Sequence, residues 1–132
     1  MKHPLERTIV KSILAYLNGQ PGCLARKRWG GGMGVAGDPD ITGCLRGRHF
    51  EVEVKRPGAK PTALQLKRLE EWRRAGAVVG VVESLEQVRA LLAEQGLIEK
   101  LPSRSDTSGG VLEAQAAGAR QRAAADLPDG HR

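Results

Sequence analysis

An α/β fold, a small mixed β-sheet flanked by helices in the order α-β-β-β-α-β-α, is the architecture this sequence predicts. Three observations lead to it. Apolar residues recur at helical spacing over residues 4–18, 62–76 and 84–96; short segments at 40–55 alternate in the manner of an antiparallel hairpin; and 77–82 is a brief, uniformly apolar run. Helices and strands interleaved in this way pack as layers around one sheet.

In "PLERTIVKSILAYLN", residues 4–18, Leu5, Ile9, Ile13, Leu14 and Leu17 form one stripe, and Pro4 suits a first turn. "NGQPG" ends that helix. "CLARKRW" reads as a strand with Arg26 and Arg28 on one face, and "GGGMGVAG" as a loop. That loop lacks the GK[ST] ending of a phosphate-binding P-loop. "DITGCLRG" and "RHFEVEVK" read as two antiparallel strands turning near "RG". In the helix "TALQLKRLEEWRRAG", Leu64, Leu69 and Trp72 mark the apolar side and Gly76 the stop. "AVVGVV" has the composition of a strand buried on both faces. "SLEQVRALLAEQG" is a final helix with Ser84 as its cap.

The chain has 132 residues, 40% hydrophobic and 27% charged, enough for one domain around one core. Aromatics are scarce, so Val, Leu, Ile and Ala must fill that core. The domain is expected over 1–101, followed by a flexible tail over 102–132, where "PSRSDTSGG" gives way to an alanine-rich stretch with a marginal helix around Val111 to Ala125. No apolar run nears the ~18 residues a membrane span needs, and "MKHPLERTIVKS" is no signal peptide. Cys23 and Cys44 lack zinc-site spacing and read as reduced, partly buried thiols, which points to the cytoplasm. The net charge of +6 belongs to residues 1–101, where 17 Lys and Arg face 11 Asp and Glu. That bias suits a domain that meets a polyanion.

The hairpin carries the unusual chemistry. In "FEVEVK", Phe50, Val52 and Val54 point one way and Glu51, Glu53 and Lys55 the other. One wet sheet face explains such alternation without any site. Asp40, however, opens the preceding strand, and a hairpin brings it beside the far end of its partner, near Glu53 and Lys55. Converging carboxylates repel unless a cation neutralises them, and hard oxygen ligands suit Mg²⁺ or Mn²⁺. A lysine beside such a metal orients water or steadies charge growing on a phosphate. The spacing G-x-P-D, twelve residues, E-x-K therefore makes a sensible phosphodiester-cleaving site.

These residues resemble the PD-(D/E)XK nuclease superfamily and, within it, the VRR-NUC (virus-type replication-repair nuclease) family, over about Glu6 to Glu83. "GDPDITG" looks like the family's G-x-x-D motif, and "EVEVKRPG" like its E-x-K motif. With "PTALQ" and the Glu6 of "PLERTIVKSIL" they make four pieces in order, on matching elements, which carry the resemblance. It implies a restriction-endonuclease-like core with Asp40 and Glu53 as metal ligands, Lys55 as catalytic lysine, Gln65 of "PTALQ" as an active-site glutamine and Glu6 as a further ligand. The backbone carbonyl of Val54 would add a ligand. Thr62-x-x-Gln65 is equally a capping box, and Glu6 equally a favourable charge at a helix N-terminus. Asp38 reads as a solvated loop acid, Glu51 as a neighbour supporting the site, and His49 as a strand residue.

The resemblance implies a Mg²⁺- or Mn²⁺-dependent deoxyribonuclease. Arg26, Lys27, Arg28, Arg46, Arg48, Arg56 and Lys60 flank the site in sequence and are candidates for phosphate contacts, or for a solubilising surface. No separate DNA-reading module is visible, which favours recognition of DNA shape. Small standalone relatives, of bacterial or viral origin, resemble homodimeric Holliday-junction resolvases. Alternatives are a flap- or end-processing nuclease, a non-cleaving nucleic-acid-binding relative, and a domain whose charge serves a protein partner.

Overall fold

A computed structural model describes residues 2–29 and 32–99. The tail expected over 102–132 lies outside the described residues. The elements follow the expected order: α1 (Pro4–Asn18), β1 (Cys23–Lys27), β2 (Ile41–Leu45), β3 (Arg48–Val54), α2 (Ala63–Arg74), β4 (Val78–Val82) and α3 (Leu85–Glu94).

Each helix starts on a side-chain cap that satisfies an otherwise unpaired backbone N–H. His3 Nδ1 accepts from Leu5 N–H at 3.1 Å with Pro4 in the first turn. Thr62 Oγ1 accepts from Gln65 N–H at 3.1 Å, and Ser84 Oγ from Gln87 N–H at 3.2 Å.

The four strands lie in the order β1-β2-β3-β4, the first three antiparallel and β3 parallel to β4. The parallel pair is joined through α2, as a parallel crossover requires. Arg46 and Gly47, at φ 50° and 86°, turn β2 into β3. Two positive-φ residues match the right-handed twist of a hairpin. Gly43 is needed for a different reason: a Cβ there would stand 2.5 Å from Leu24 O and from Phe50 Cζ.

Phe50, Val52 and Val54 face the main core with Val10, Ile13 and Leu17 of α1 and Val88 and Leu92 of α3. Each such side chain gains about 1.5–3 kcal/mol on leaving water. The opposite face of β3 carries His49, Glu51 and Glu53 by strand alternation. On that face Trp72 of α2 lies over His49, with ring centroids 5.1 Å apart. β3 is thus covered on both sides from Phe50 to Val54.

Several expectations need correction. β4 is an edge strand of the sheet, with Val78 and Val82 buried but Val81 exposed. A run of valines shows how apolar a strand is, not how many neighbours it has. β1 ends at Lys27, so Arg28 and Trp29 belong to the following loop and Arg28 does not share a strand face with Arg26. Along α2 only Leu69 is buried, while Leu64 is partly exposed and meets the loop at Gly37. Leu5 stays exposed, and Cys44 is exposed rather than partly buried. No helix among the described residues is long and apolar enough to cross a membrane.

Candidate active site

The hairpin register dictates the site. Ile41 pairs with Val52, so one further step brings Asp40 alongside Glu53 at the end of the β2–β3 ladder. Asp40 Oδ2 accepts from Val54 N–H at 2.8 Å, which fixes the carboxylate against the strand. Glu53 is 1% exposed. From the first turn of α1, buried Glu6 reaches the same strand end, where its Oε2 accepts from Arg56 N–H at 2.9 Å. Lys55 follows β3 directly and is tied down through its own N–H, which donates to Val82 O at 2.9 Å.

These three acids converge on a cation that the sequence reading missed. Lys2 Nζ stands 2.7 Å from Asp40 Oδ2, 3.5 Å from Glu53 Oε2 and 3.5 Å from Glu6 Oε1. The i,i+4 spacing of Lys2 and Glu6 is visible in sequence; the reach of Lys2 to Asp40 and Glu53 is not. Burial works against the Lys2 ammonium, yet the hydrogen bond to Asp40 and the charges of Asp40, Glu53 and Glu6 outweigh it and raise its pKa. Burial likewise opposes the Glu6 carboxylate, but the Arg56 N–H and the charges of Lys2 and Lys55 prevail and lower its pKa. At Glu53 burial wins. Desolvation, a hydrogen bond with Asp40 and the Asp40 charge push its carboxyl up to about 8 against the pull of Lys2 and Lys55.

Among the described residues, no three His, Cys, Asp or Glu side chains are arranged to hold a metal ion as they stand. The acids nevertheless have the right chemistry. Glu53 Oε1 is buried without a hydrogen-bond partner, a costly state for a carboxylate oxygen. A hard divalent cation satisfies such an oxygen and favours its ionised form.

One step back along β3, Glu51 is fully buried, which overturns the wet-face reading of the hairpin. Arg28 binds it through both terminal nitrogens, Thr42 donates to it, and His49 Nε2 lies 2.6 Å from its Oε2. Removing one partner of a buried pair like this costs about 3–5 kcal/mol, because the other charge is stranded. Trp72 closes the network. Its ring lies 5.4 Å from the Arg28 guanidinium, and its Nε1 donates to Asp38 Oδ1 at 3.3 Å. Asp38 is therefore not a solvated acid; Arg28 Nε also approaches its carboxylate, at 3.7 Å. Arg28 is thus paired with acids of its own fold. Nothing local in the sequence announces that pairing, which joins residues 23 positions apart.

The remaining basic candidates divide by position. Arg56 lies at the site, with Nη1 3.4 Å from Glu6, and Lys60 is exposed on the loop that follows. Arg26 and Lys27 are exposed at the end of β1 that pairs with Thr42 and Ile41, next to Asp40. Arg46 and Arg48 sit at the hairpin turn, the opposite end of the ladder from Asp40, and their guanidinium groups bond Leu97 O and Gly76 O. Gln65 completes the capping box: its Oε1 accepts from Thr62 N–H at 2.8 Å.

The loop between β1 and β2 presents an apolar tip. Trp29 is 88% exposed and Met33 fully exposed, with Val35 beside them. Its inner end is fastened, Arg68 Nε donating to Ala36 O at 3.0 Å and Arg28 N–H to Asp40 O at 2.6 Å.

Two solved structures are similar to this chain. A solved structure described as a VRR_NUC domain aligns with 68% of this chain and 96% of its own, at 34% identity and a TM-score of 0.57. A second, described as a VRR_NUC domain protein, aligns over 75% of this chain and 92% of its own at 19% identity and a TM-score of 0.57, a likeness of fold alone. No family model and no curated protein matches the sequence.

Proposed function

The chain belongs to the VRR-NUC domain family, so its function is of the nuclease type and its substrate a nucleic acid, and on that premise we propose a divalent-metal-dependent DNA endonuclease acting on branched DNA. The observation that carries the proposal is the convergence of Glu6, Asp40 and Glu53 on one cationic centre, with a Glu53 oxygen left unpartnered. Those three side chains, with the carbonyl of Val54, would hold Mg²⁺ or Mn²⁺. When bound, the metal supplies Lewis-acid activation of water and neutralises charge on the phosphate.

The chain's own groups do the rest. Lys55, whose charge is felt by both Glu6 and Glu53, steadies the negative charge that grows on the phosphate oxygens. The hydrogen bond from Val54 N–H keeps Asp40 aimed at the site. Gln65 has its Oε1 committed to the helix cap, so its contribution to substrate comes from the amide nitrogen. Arg56, Lys60, Arg26 and Lys27 contact backbone phosphates around the scissile bond.

Substrate choice follows from the loop. An exposed tryptophan beside a charged site is suited to stack on a base freed from its partner, as at a branch point. The favoured substrate is a four-way junction, cut symmetrically by a homodimer, because two related cuts need two sites on a dyad. The setting is the cytoplasm of a bacterium or of a virus-infected cell.

Cleavage of labelled four-way junction, flap, duplex and single-stranded DNA, each in Mg²⁺ and in Mn²⁺, tests this reading. Paired symmetric cuts in the junction are expected. Trp29→Ala is expected to weaken junction binding by roughly tenfold, the value of about one stacked base, and to leave duplex binding unchanged. Cutting confined to flaps or ends contradicts the resolvase assignment, and equal losses on junction and duplex contradict the role of Trp29.

A further inference from the structure

Lys2 occupies the point on which the three acids converge. Its ammonium has three N–H donors, and among the described residues Asp40, Glu53 and Glu6 are the three carboxylates within 3.5 Å of it. The side chain is drawn in from solvent, at 13% exposure. We propose that Lys2 is a tethered occupant of the metal site: its ammonium holds Glu6, Asp40 and Glu53 together when no metal is present, and it must swing out for a divalent cation to enter. The inference rests on the reading of these acids as metal ligands.

Three features of the site support exchange rather than a permanent ion pair. First, the charges do not match. One ammonium sits where three carboxyl groups converge, Arg56 reaches Glu6 from outside, and Glu53 Oε1 remains buried and unpartnered. A divalent ion carries twice the charge and binds several oxygens at once. Second, the two cations exclude each other. An ammonium and a metal ion a few ångströms apart repel strongly where solvent is scarce. Third, Lys2 lies ahead of α1 rather than inside it. The helix is capped independently by His3, so a rotation of the Lys2 side chain disturbs no helical hydrogen bond. The backbone of Lys2 is held by one side-chain donor, Arg7 Nη1 to Lys2 O at 3.1 Å.

With the ammonium at their meeting point, the acids are not poised for a metal as they stand. Lysine is suited to this task, being a compact charge on a flexible stem. The metal-free protein thus offsets the repulsion among its converging acids without building a rigid, always-open metal cage.

Two measurements on the full chain test the proposal without relying on cleavage. The first is Mn²⁺ affinity, read from the electron paramagnetic resonance of free Mn²⁺, for wild type and Lys2→Gln. Removing the competing charge is expected to tighten binding by roughly tenfold, the equivalent of about one partly buried ion pair. The second is the rate at which an amine-reactive ester acylates Lys2 in the wild-type protein, followed by mass spectrometry of the Lys2 peptide. That rate is expected to rise severalfold when Mn²⁺ saturates the site. Equal or weaker Mn²⁺ binding by Lys2→Gln, or Lys2 equally protected with and without Mn²⁺, overturns the displacement while leaving the metal site intact. Absence of Mn²⁺ binding in both proteins removes the metal reading itself, and the inference with it.

Discussion

Glu53 is an acid that its own fold leaves partly unsatisfied. Its carboxyl is sunk at the end of β3 beside Asp40, and its pKa rises from 4.5 to about 8. Between those values the native state holds a proton that the unfolded chain has lost, so stability must fall as pH rises through this window. Below pH 4.5 the contribution is fully present, and above about 8 it is gone. Melting curves of the metal-free protein are expected to shift to lower temperature from pH 5 to 8, and Glu53→Gln, which cannot ionise, to flatten that dependence. A wild-type profile that rises over the same range contradicts the burial argument. Glu51, equally buried, is satisfied by Arg28, Thr42 and His49. Two glutamates two residues apart, identical in sequence terms, therefore differ in what they lack: Glu51 has its partners within the fold, whereas Glu53 has an oxygen with none.

At the scale of elements, α2 combines two roles at its first turn. Thr62 and Gln65 form a reciprocal cap, and Gln65 also occupies the position the family resemblance assigns to the active site. The two roles separate by mutation. Thr62→Ala and Gln65→Ala each break the cap and are expected to lower stability by about 1 kcal/mol. Only Gln65→Ala is expected to slow cleavage beyond what lost stability explains; equal, small kinetic effects would leave Gln65 with the cap alone. Local signals made these elements legible. Pro4 and the Leu17 stripe marked α1, and the alternation of Phe50, Val52 and Val54 marked the core face of β3. The edge position of β4 was not legible, because strand order depends on which segments pair across long stretches of chain. The same limit hid the pairing of Arg28 with Glu51. Glu51 is brought to Arg28 by β2, which stands between β1 and β3.

For the whole molecule, the sheet gathers at one strand end residues that lie far apart in the chain: Lys2 and Glu6 ahead of or at the start of α1, Asp40 before β2, Glu53 and Lys55 at the close of β3. The G-x-P-D and E-x-K spacing revealed Asp40, Glu53 and Lys55, since a hairpin converts sequence spacing into proximity. It did not reveal Lys2, which arrives by the packing of α1. It also placed Arg46 and Arg48 too near, because residues in the turn between two motifs lie at the far end of the hairpin that joins them. The charge excess of residues 1–101 suits a nucleic-acid substrate, and three of the acids that interrupt it, Glu6, Asp40 and Glu53, meet at the end of β3.

The most direct measurement is single-turnover cleavage of a four-way junction in Mg²⁺ by wild type, Asp40→Asn and Lys55→Ala, with DNA binding measured alongside. Loss of cleavage by about 10²-fold or more in both variants, with binding retained, is the result expected of a site that stabilises the transition state. Undiminished cleavage in either variant would contradict the assignment of catalysis to this end of β3.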